Sequence, residues 1–313
     1  KDLVRMAAAK AALLDPLPEL ELDLNPATLV LGGGVAGMVA AKGLADQGYT
    51  VHLVGRSPEL GGKARLLHET WKGESIQGFV QRLADGVLHH PHIQVHLSSR
   101  VSEVEGFVGN FRSTLDGDGG ETDSLEHGIT VIATGAEAYK PEEYQYGQDP
   151  RVLTHLDLDR RFVADDPSLD HMGSAVFIQC VGSRESTRPY CSRVCCTHSL
   201  KSALELKRRN PEMRIYILFR DFRTYGEREE LYREARKAGI LFIRYDVDAK
   251  PKVHASPDFL EVDAVEPILE RPIRIQADMV VLPLGPDSQR TFTPGFGNAH
   301  LIGKVYFPRL IVP

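Results

Sequence analysis

The chain has no run approaching the roughly 20 apolar residues of a membrane span, so no stretch reads as a transmembrane helix. It has no charged-then-apolar opening that reads as a signal segment, and the cytoplasm is the expected compartment. It has no excess of basic charge: 37 Lys and Arg against 43 Asp and Glu give a formal net charge of −6. That balance offers no electrostatic case for nucleic acid or an acidic membrane surface as partner. Cysteine is scarce, four in 313 residues, and none lies outside positions 180–196. In a reducing compartment so few, so crowded, read as metal-binding or redox groups and not as a disulfide framework. The chain also lacks a second glycine-rich nucleotide fingerprint and any C-x-x-C pair.

What is present is ordinary globular material, 42% hydrophobic and 26% charged, in a length that suits two domains. Opening on Lys1, it is expected to be a piece of something longer. Helix formers fill "KDLVRMAAAKAALLDP" up to Pro16. The stretch "ATLVLGGGVAGMVAAKGLADQGYTVHLVGR" then switches from strand to helix to strand, a βαβ unit. A helix around "ESIQGFVQRLADGVLHH", a strand "IQVHLSS", a meander over 100–128 and the apolar run "ITVIATGA" complete a first region. After a connector rich in Tyr, Glu, Gln and Pro, the same order recurs: "SAVFIQC", a helix ended by Pro211, "RIYILFR", "GEREELYREARKAG", "LFIRYD", hairpins over 250–276 and "ADMVVLPLG". The repetition predicts an α/β fold of tandem, doubly wound, Rossmann-like domains with parallel sheets and antiparallel meanders. The expected division is an N-terminal helix and linker at 1–24, a dinucleotide domain at 25–152 joined by 286–313, and a second domain at 153–285.

Gly32, Gly34 and Gly37 form G-x-G-x-x-G directly after a strand and at the mouth of a helix, the context that turns a weak motif into a strong one. Gly32 makes the tight turn, Gly34 admits a pyrophosphate, Gly37 allows close packing, and the helix N-terminus stabilises the phosphate charge. The acid that grips the ribose is expected about 20 residues on, at the end of the second strand. There the chain has Gly55, leaving Arg56, Glu59 or water to supply the contact. Just beyond, "ELGGKAR" resembles the flavin loop of two-dinucleotide-domain flavoproteins, with Gly61 and Gly62 along the phosphate-ribityl arm and Lys63 near the ring or phosphate. "VIATGA" resembles the A-T-G element of that superfamily, in which Ala133, Thr134 and Gly135 end a strand beside the cofactor. Together these favour FAD in the first domain, with Val101 where such folds make a backbone contact to adenine.

The second domain opens "VFIQCVGSRES". Where a pyridine-nucleotide turn would need its glycines there is only Gly182, and Cys180 stands at the strand end. Cys191 and Cys195 are spaced i, i+4, one face of a helical turn, and Cys196 diverges from them. Zinc is one occupant of four thiolates, although structural zinc favours paired C-x₂₋₄-C knuckles. A 4Fe–4S cluster takes the same ligand set. Free thiols buried as small hydrophobes are the remaining alternative. Arg184, Arg188 and Arg193 within the segment, and a helix N-terminus nearby, would offset the negative charge of a cluster. The histidine-rich "LHHPHIQVH" fits no common zinc spacing and reads as surface turn.

With "KDLVRMAAAKAAL", "LGGGVAGMVAAKGLADQGYTVHLV", "ELGG", "GFVGNF", "HGITVIATGAEAYKPEEYQYGQDPRVLT", "IQCVGSRESTRPYCSRVCCTHSLKSALELK" and "YILFRDFRTYG", the chain resembles the A-type heterodisulfide reductase family over residues 1–285. The resemblance implies a thioredoxin-reductase-like fold, FAD in the first domain, and a 4Fe–4S cluster on Cys180, Cys191, Cys195 and Cys196. It implies a soluble electron-transfer subunit, some members of the family working by flavin-based bifurcation. The partners it implies are ferredoxin, hydrogenase or formate dehydrogenase modules together with a disulfide-reducing subunit. A homodimer is a further assembly. Lys201, a little over one helical turn past Cys196, would face the flavin and stabilise its anionic reduced form. Two other functions are weighed: a pyridine-nucleotide disulfide oxidoreductase, against which the absent second fingerprint and C-x-x-C stand, and a zinc-held scaffold without catalysis. The stretch after Gly285 lacks the G-D element with which such flavoproteins complete the flavin pocket.

Overall fold

Parallel strands covered on both faces need near-continuous apolar runs, and the chain supplies them twice. In the computed structural model, which describes residues 1–15, 23–186, 188–268, 270–283 and 286–287, "TLVL" forms the strand Thr28–Leu31. It lies between Val51–Val54 and Ile129–Ile132, with Ile93–His96 at the edge, all parallel. The helices Val35–Ala45 and Ile76–Leu88 cover one face, burying Met38, Ala41, Val80 and Val87 with Val30 and Leu53. Ser75 caps the second helix by accepting the Gly78 amide at 3.2 Å. An antiparallel meander, Ser99–Phe107, Asn110–Gly117 and Thr122–His127, closes the other face through Leu115 and Leu125 on Leu29 and Val54.

The second unit repeats the plan around Ser174–Ile178, whose five residues are all buried. Its neighbours are Arg214–Phe219 and then Leu241–Arg244 on one side, Met279–Leu282 on the other, all parallel. The meander Lys252–Ala255, Leu260–Glu266, Arg271–Ala277 again precedes the last strand. One parallel edge strand, Val152–Thr154, lies beyond Met279–Leu282 and leads into the helix His155–Val163. Neither was legible in the connector. Thr154 and Asp157 form a reciprocal cap at that helix start. The long helix Cys195–Arg209 buries Leu200, Ala203 and Leu206 against Phe177, Ile215 and Ile217. Each such fully buried large side chain contributes roughly 1.5–3 kcal/mol.

The two units meet along the segment that follows the first unit's second strand. Trp71 packs against the second core, and the His68 ring lies 5.5 Å from that of Phe162. The N-terminal helix runs over Asp2–Ala11 and buries none of its residues. The two-residue strand Pro286–Asp287 pairs with Glu137–Ala138. The G-D element sought after Gly285, and the joining of 288–313 to the first unit, lie outside the described residues. Among the described residues no helix is long and apolar enough to cross a membrane.

Candidate functional site

The glycine loop is built by close approach of backbone to backbone. Gly32 has φ +118°, and a Cβ there would collide with the Ala133 carbonyl; a Cβ at Gly37 would collide with the carbonyl of Gly32. These two glycines weld the first strand, its helix and the A-T-G strand together. Gly34 differs: a Cβ there would meet nothing within 4 Å, so its openness serves something other than the fold. It is also the residue before the helix Val35–Ala45, whose first amides receive no side-chain cap. Such amides, beside open space, suit a phosphate. The Gly61 amide donates to the Gly33 carbonyl at 2.7 Å, and a Cβ at Gly62 would stand 3.2 Å from Gly34 Cα. The structure therefore brings Gly32, Gly34, Gly37, Gly61 and Gly62 into one cradle, with Gly135, φ +71°, opening beyond it. Lys63 Nζ donates to the Ala136 carbonyl, tying the loop to the chain just past Ala133, Thr134 and Gly135.

The ribose position remains without an acid. Gly55 is buried, and a Cβ there would already touch Leu97 at 3.4 Å. Glu59 is held by Arg65 at 2.6 Å, while Arg56 is exposed. Val101 sits on the meander, half-buried against the cluster of Leu29 and Leu115.

In the second unit the four cysteines come from three kinds of backbone. Cys180 follows the central strand and takes a left-handed conformation, φ +63°, as do Gly182 and Arg184. Cys191 belongs to a loop, and Cys195 is the first residue of the helix. The i, i+4 spacing therefore does not put Cys191 on that helix: Arg193, at φ +61°, interrupts any turn between them. Each left-handed non-glycine residue costs about 1–2 kcal/mol. Even so, Cys180, Cys191, Cys195 and Cys196 line a single pocket with Gln179, Arg184 and Arg223.

Ser192 Oγ lies 2.9 Å from Cys195 Sγ, the Arg193 amide donates to Cys191 Sγ at 3.4 Å, and Arg184 Nη1 reaches Cys180 Sγ at 3.8 Å. Burial pushes the Cys195 thiol up to about 12 and Cys196 up to about 11, and the neighbouring thiols add to both shifts. Left to water, these thiols stay protonated; binding to a metal centre would displace their protons. Among the described residues no three His, Cys, Asp or Glu side chains are placed to hold a single ion.

Of the three arginines within the segment, Arg184 and Arg193 line the pocket and Arg188 stacks on Tyr139, 4.1 Å from its ring centre. Arg223, unmarked by sequence reasoning, joins the lining. Tyr139 also closes on Gly182, where a Cβ would strike its ring. The chain leaving the A-T-G element thus lies on the cysteine loop within a few residues. Lys201 Nζ faces the first unit, 3.5 Å from Glu69 Oε2. Beneath the helix runs a buried polar chain: Gln179 Nε2 donates to Ser199 Oγ at 2.5 Å, which lies 2.9 Å from His155 Nε2. His155 is held neutral by burial. The histidines of "LHHPHIQVH" contact other parts of the first unit: His89 the Asp85 carbonyl, His90 the Asp46 carboxylate and His96 the His52 ring.

Two parallel sheets of the same order, each with a meander before its last strand, define the FAD/NAD(P)-binding, thioredoxin-reductase-like class of fold. Thioredoxin reductases from T. acidophilum and Lactococcus lactis superpose with TM-scores of 0.56 and 0.57 at 15% and 18% identity, over 84% and 83% of this chain and 79% and 77% of theirs. The pyridine nucleotide-disulphide oxidoreductase family matches residues 26–166, which ends before the cysteine segment. More particularly, the chain is a relative of the A-type heterodisulfide reductase proteins. It is 29% identical to the A-type component of the H(2):CoB-CoM heterodisulfide,ferredoxin reductase of Methanothermobacter marburgensis, over 95% of this chain and 59% of that protein. It is 30% identical to an A-type iron-sulfur component of the CoB--CoM heterodisulfide reductase of Methanopyrus kandleri, over 91% of this chain and 57% of that one. The chain thus spans less than three fifths of the curated relatives it matches.

Proposed function

We propose that this chain is the FAD- and 4Fe–4S-bearing electron-transfer part of a heterodisulfide-reductase-like oxidoreductase complex. The observation that carries the reading is the convergence of four thiols on one pocket at the strand end where a dinucleotide fold would seat a pyrophosphate. The words "iron-sulfur" in the name of the Methanopyrus relative support it. When bound, the flavin supplies two-electron chemistry and the cluster one-electron relay.

The protein's own contributions are specific. Gly34, Gly61 and Gly62 cradle the flavin's phosphate arm, and the amides at the start of Val35–Ala45 meet its charge. Lys63 holds the flavin loop to the A-T-G element. Cys180, Cys191, Cys195 and Cys196 would bind the cluster as thiolates, while Arg184, Arg193 and Arg223 would offset its negative charge. Lys201, on the helix that begins at two of those cysteines, adds positive charge on the side facing the first unit. Substrate chemistry belongs to partner proteins: ferredoxin, hydrogenase or formate dehydrogenase modules, and a disulfide-reducing subunit. A cytoplasmic complex, with bifurcation as its working mode, completes the proposal.

The test is spectroscopic. Protein purified without oxygen should carry about four irons with matching sulfide, plus one flavin, and show a rhombic reduced-cluster EPR signal on dithionite. Colourless protein containing zinc would overturn the cluster assignment, and rapid flavin bleaching by NADPH alone would favour a pyridine-nucleotide oxidoreductase.

A further inference from the structure

The cysteine loop is strained, and one side chain reaches three of its carbonyls. Arg220, the residue after the strand Arg214–Phe219, lies beneath the turn from Cys180 to Arg184. Its Nη2 donates to the carbonyl oxygens of Cys180 at 3.1 Å and Ser183 at 2.5 Å, and its Nη1 to that of Arg184 at 3.0 Å. From the next strand end, the Tyr245 hydroxyl donates to the Gln179 carbonyl at 2.5 Å. The Cys180 carbonyl also accepts from the Ser183 amide at 3.3 Å, and Arg220 and Tyr245 add donors to the carbonyls of Gln179, Cys180, Ser183 and Arg184. The guanidinium's Nε is buried with no hydrogen-bond partner.

In a dinucleotide domain the end of the second strand meets the adenosine ribose, and an arginine nearby accommodates the 2′-phosphate of NADP. Arg220 occupies that place in the sheet, yet its two Nη groups donate to the protein's own carbonyls. Where a nucleotide phosphate would lie, the cysteine turn lies instead. We infer that Arg220 is a positioning residue for the cysteine centre, fixing the Cys180 turn so that its sulfur joins the other three and leaving a cation beneath it. The inference rests on the cluster reading above for its electronic half, and on geometry alone for its clamping half.

The test compares R220Q and R220K with the wild type and with R233Q, a change on the exposed face of the helix Glu229–Lys237. In metal-free protein, amide hydrogen exchange over 181–185 and alkylation of Cys180 should accelerate about tenfold or more in R220Q, the loss of at least one charge-assisted bond. R233Q should match the wild type. In protein loaded without oxygen, R220Q should lose iron, and the cluster it retains should have a lower reduction potential because a neighbouring cation is gone. R220K keeps the charge but not the fork, so it should recover the potential more fully than the exchange protection. Unchanged exchange and unchanged potential in R220Q would overturn the inference. Should R220Q fail to fold, R220K with wild-type protection over 181–185 would overturn it. If wild-type protein takes up no iron, the cluster reading fails while the exchange experiment still judges the clamp.

Discussion

The two halves of this molecule use one scaffold and differ at one turn. In both, a buried central strand lies between two parallel neighbours and an antiparallel meander precedes the last strand. In the first, the turn after the central strand is Gly32–Gly37, open at Gly34 and free of ionisable side chains. In the second it is a strained loop bearing Cys180, followed by a helix that opens on Cys195 and Cys196. The sheet and its helices fix where a ligand goes, at the carboxyl ends of the strands. On the proposed reading the turn decides which ligand: bare amides for a phosphate, sulfur for a metal centre.

The strongest way to break that contrast is to remove one sulfur. C196S should lose most of its iron while keeping its flavin, measured by metal analysis and flavin absorbance on the same anaerobic sample; flavin lost in parallel would show that the two turns are not separate sites. The reverse substitution is G37A. Its Cβ collides with the Gly32 carbonyl, and the resulting overpacking should cost about 1–3 kcal/mol and most of the flavin while iron stays bound. Denaturant unfolding with the flavin assay checks it, and retention of both stability and flavin would contradict the backbone contact.

Acid sharpens the comparison further. In the first unit, burial lowers the pKa of His52, His96 and His127; the second unit has His155, lowered well below its ordinary value by complete burial. At His52 and His96 the Asp123 carboxylate partly opposes the shift. Burial makes these imidazoles harder to protonate in the folded chain, whereas the unfolded chain takes up their protons below about pH 6.5. Stability is therefore complete above that pH and declines as pH falls through it, by at most about 1.4 kcal/mol per histidine per pH unit. Hydrogen exchange at pH 7 and 5.5 should show the first unit loosening more than the second, and equal loss would count against the assignment. The smallest effect belongs to Lys201. Its half-shielded pair with Glu69 is worth under about 1 kcal/mol, and K201M should lower the flavin potential only slightly. An unchanged potential would make it an interface contact only.

What could be read in the sequence was whatever is encoded locally. The glycine fingerprint, the strand-helix-strand order and the crowding of cysteine each lie within some thirty residues, and the tandem plan of strands followed. What could not be read depends on contacts across the chain. Arg220 reaches the Cys180 turn from 40 positions away, Tyr139 reaches Gly182, and Lys201 meets Glu69 over 132 positions. The edge strand Val152–Thr154 is three residues long, too short to show alternation, and pairs only because Met279–Leu282 offers an edge. The helical reading of Cys191 to Cys195 failed at Arg193, because spacing counts residues and does not reveal a left-handed backbone. Gly55 shows the opposite lesson: its lack of an acid was plain in the sequence, while its contact with Leu97 was not.

X-ray absorption at the iron and zinc edges of anaerobically prepared protein tests the central claim most directly. A sulfur shell around iron together with short iron–iron scattering is the predicted result. A zinc edge with a lone tetrahedral sulfur shell, or neither metal in protein whose flavin site is filled, would contradict it.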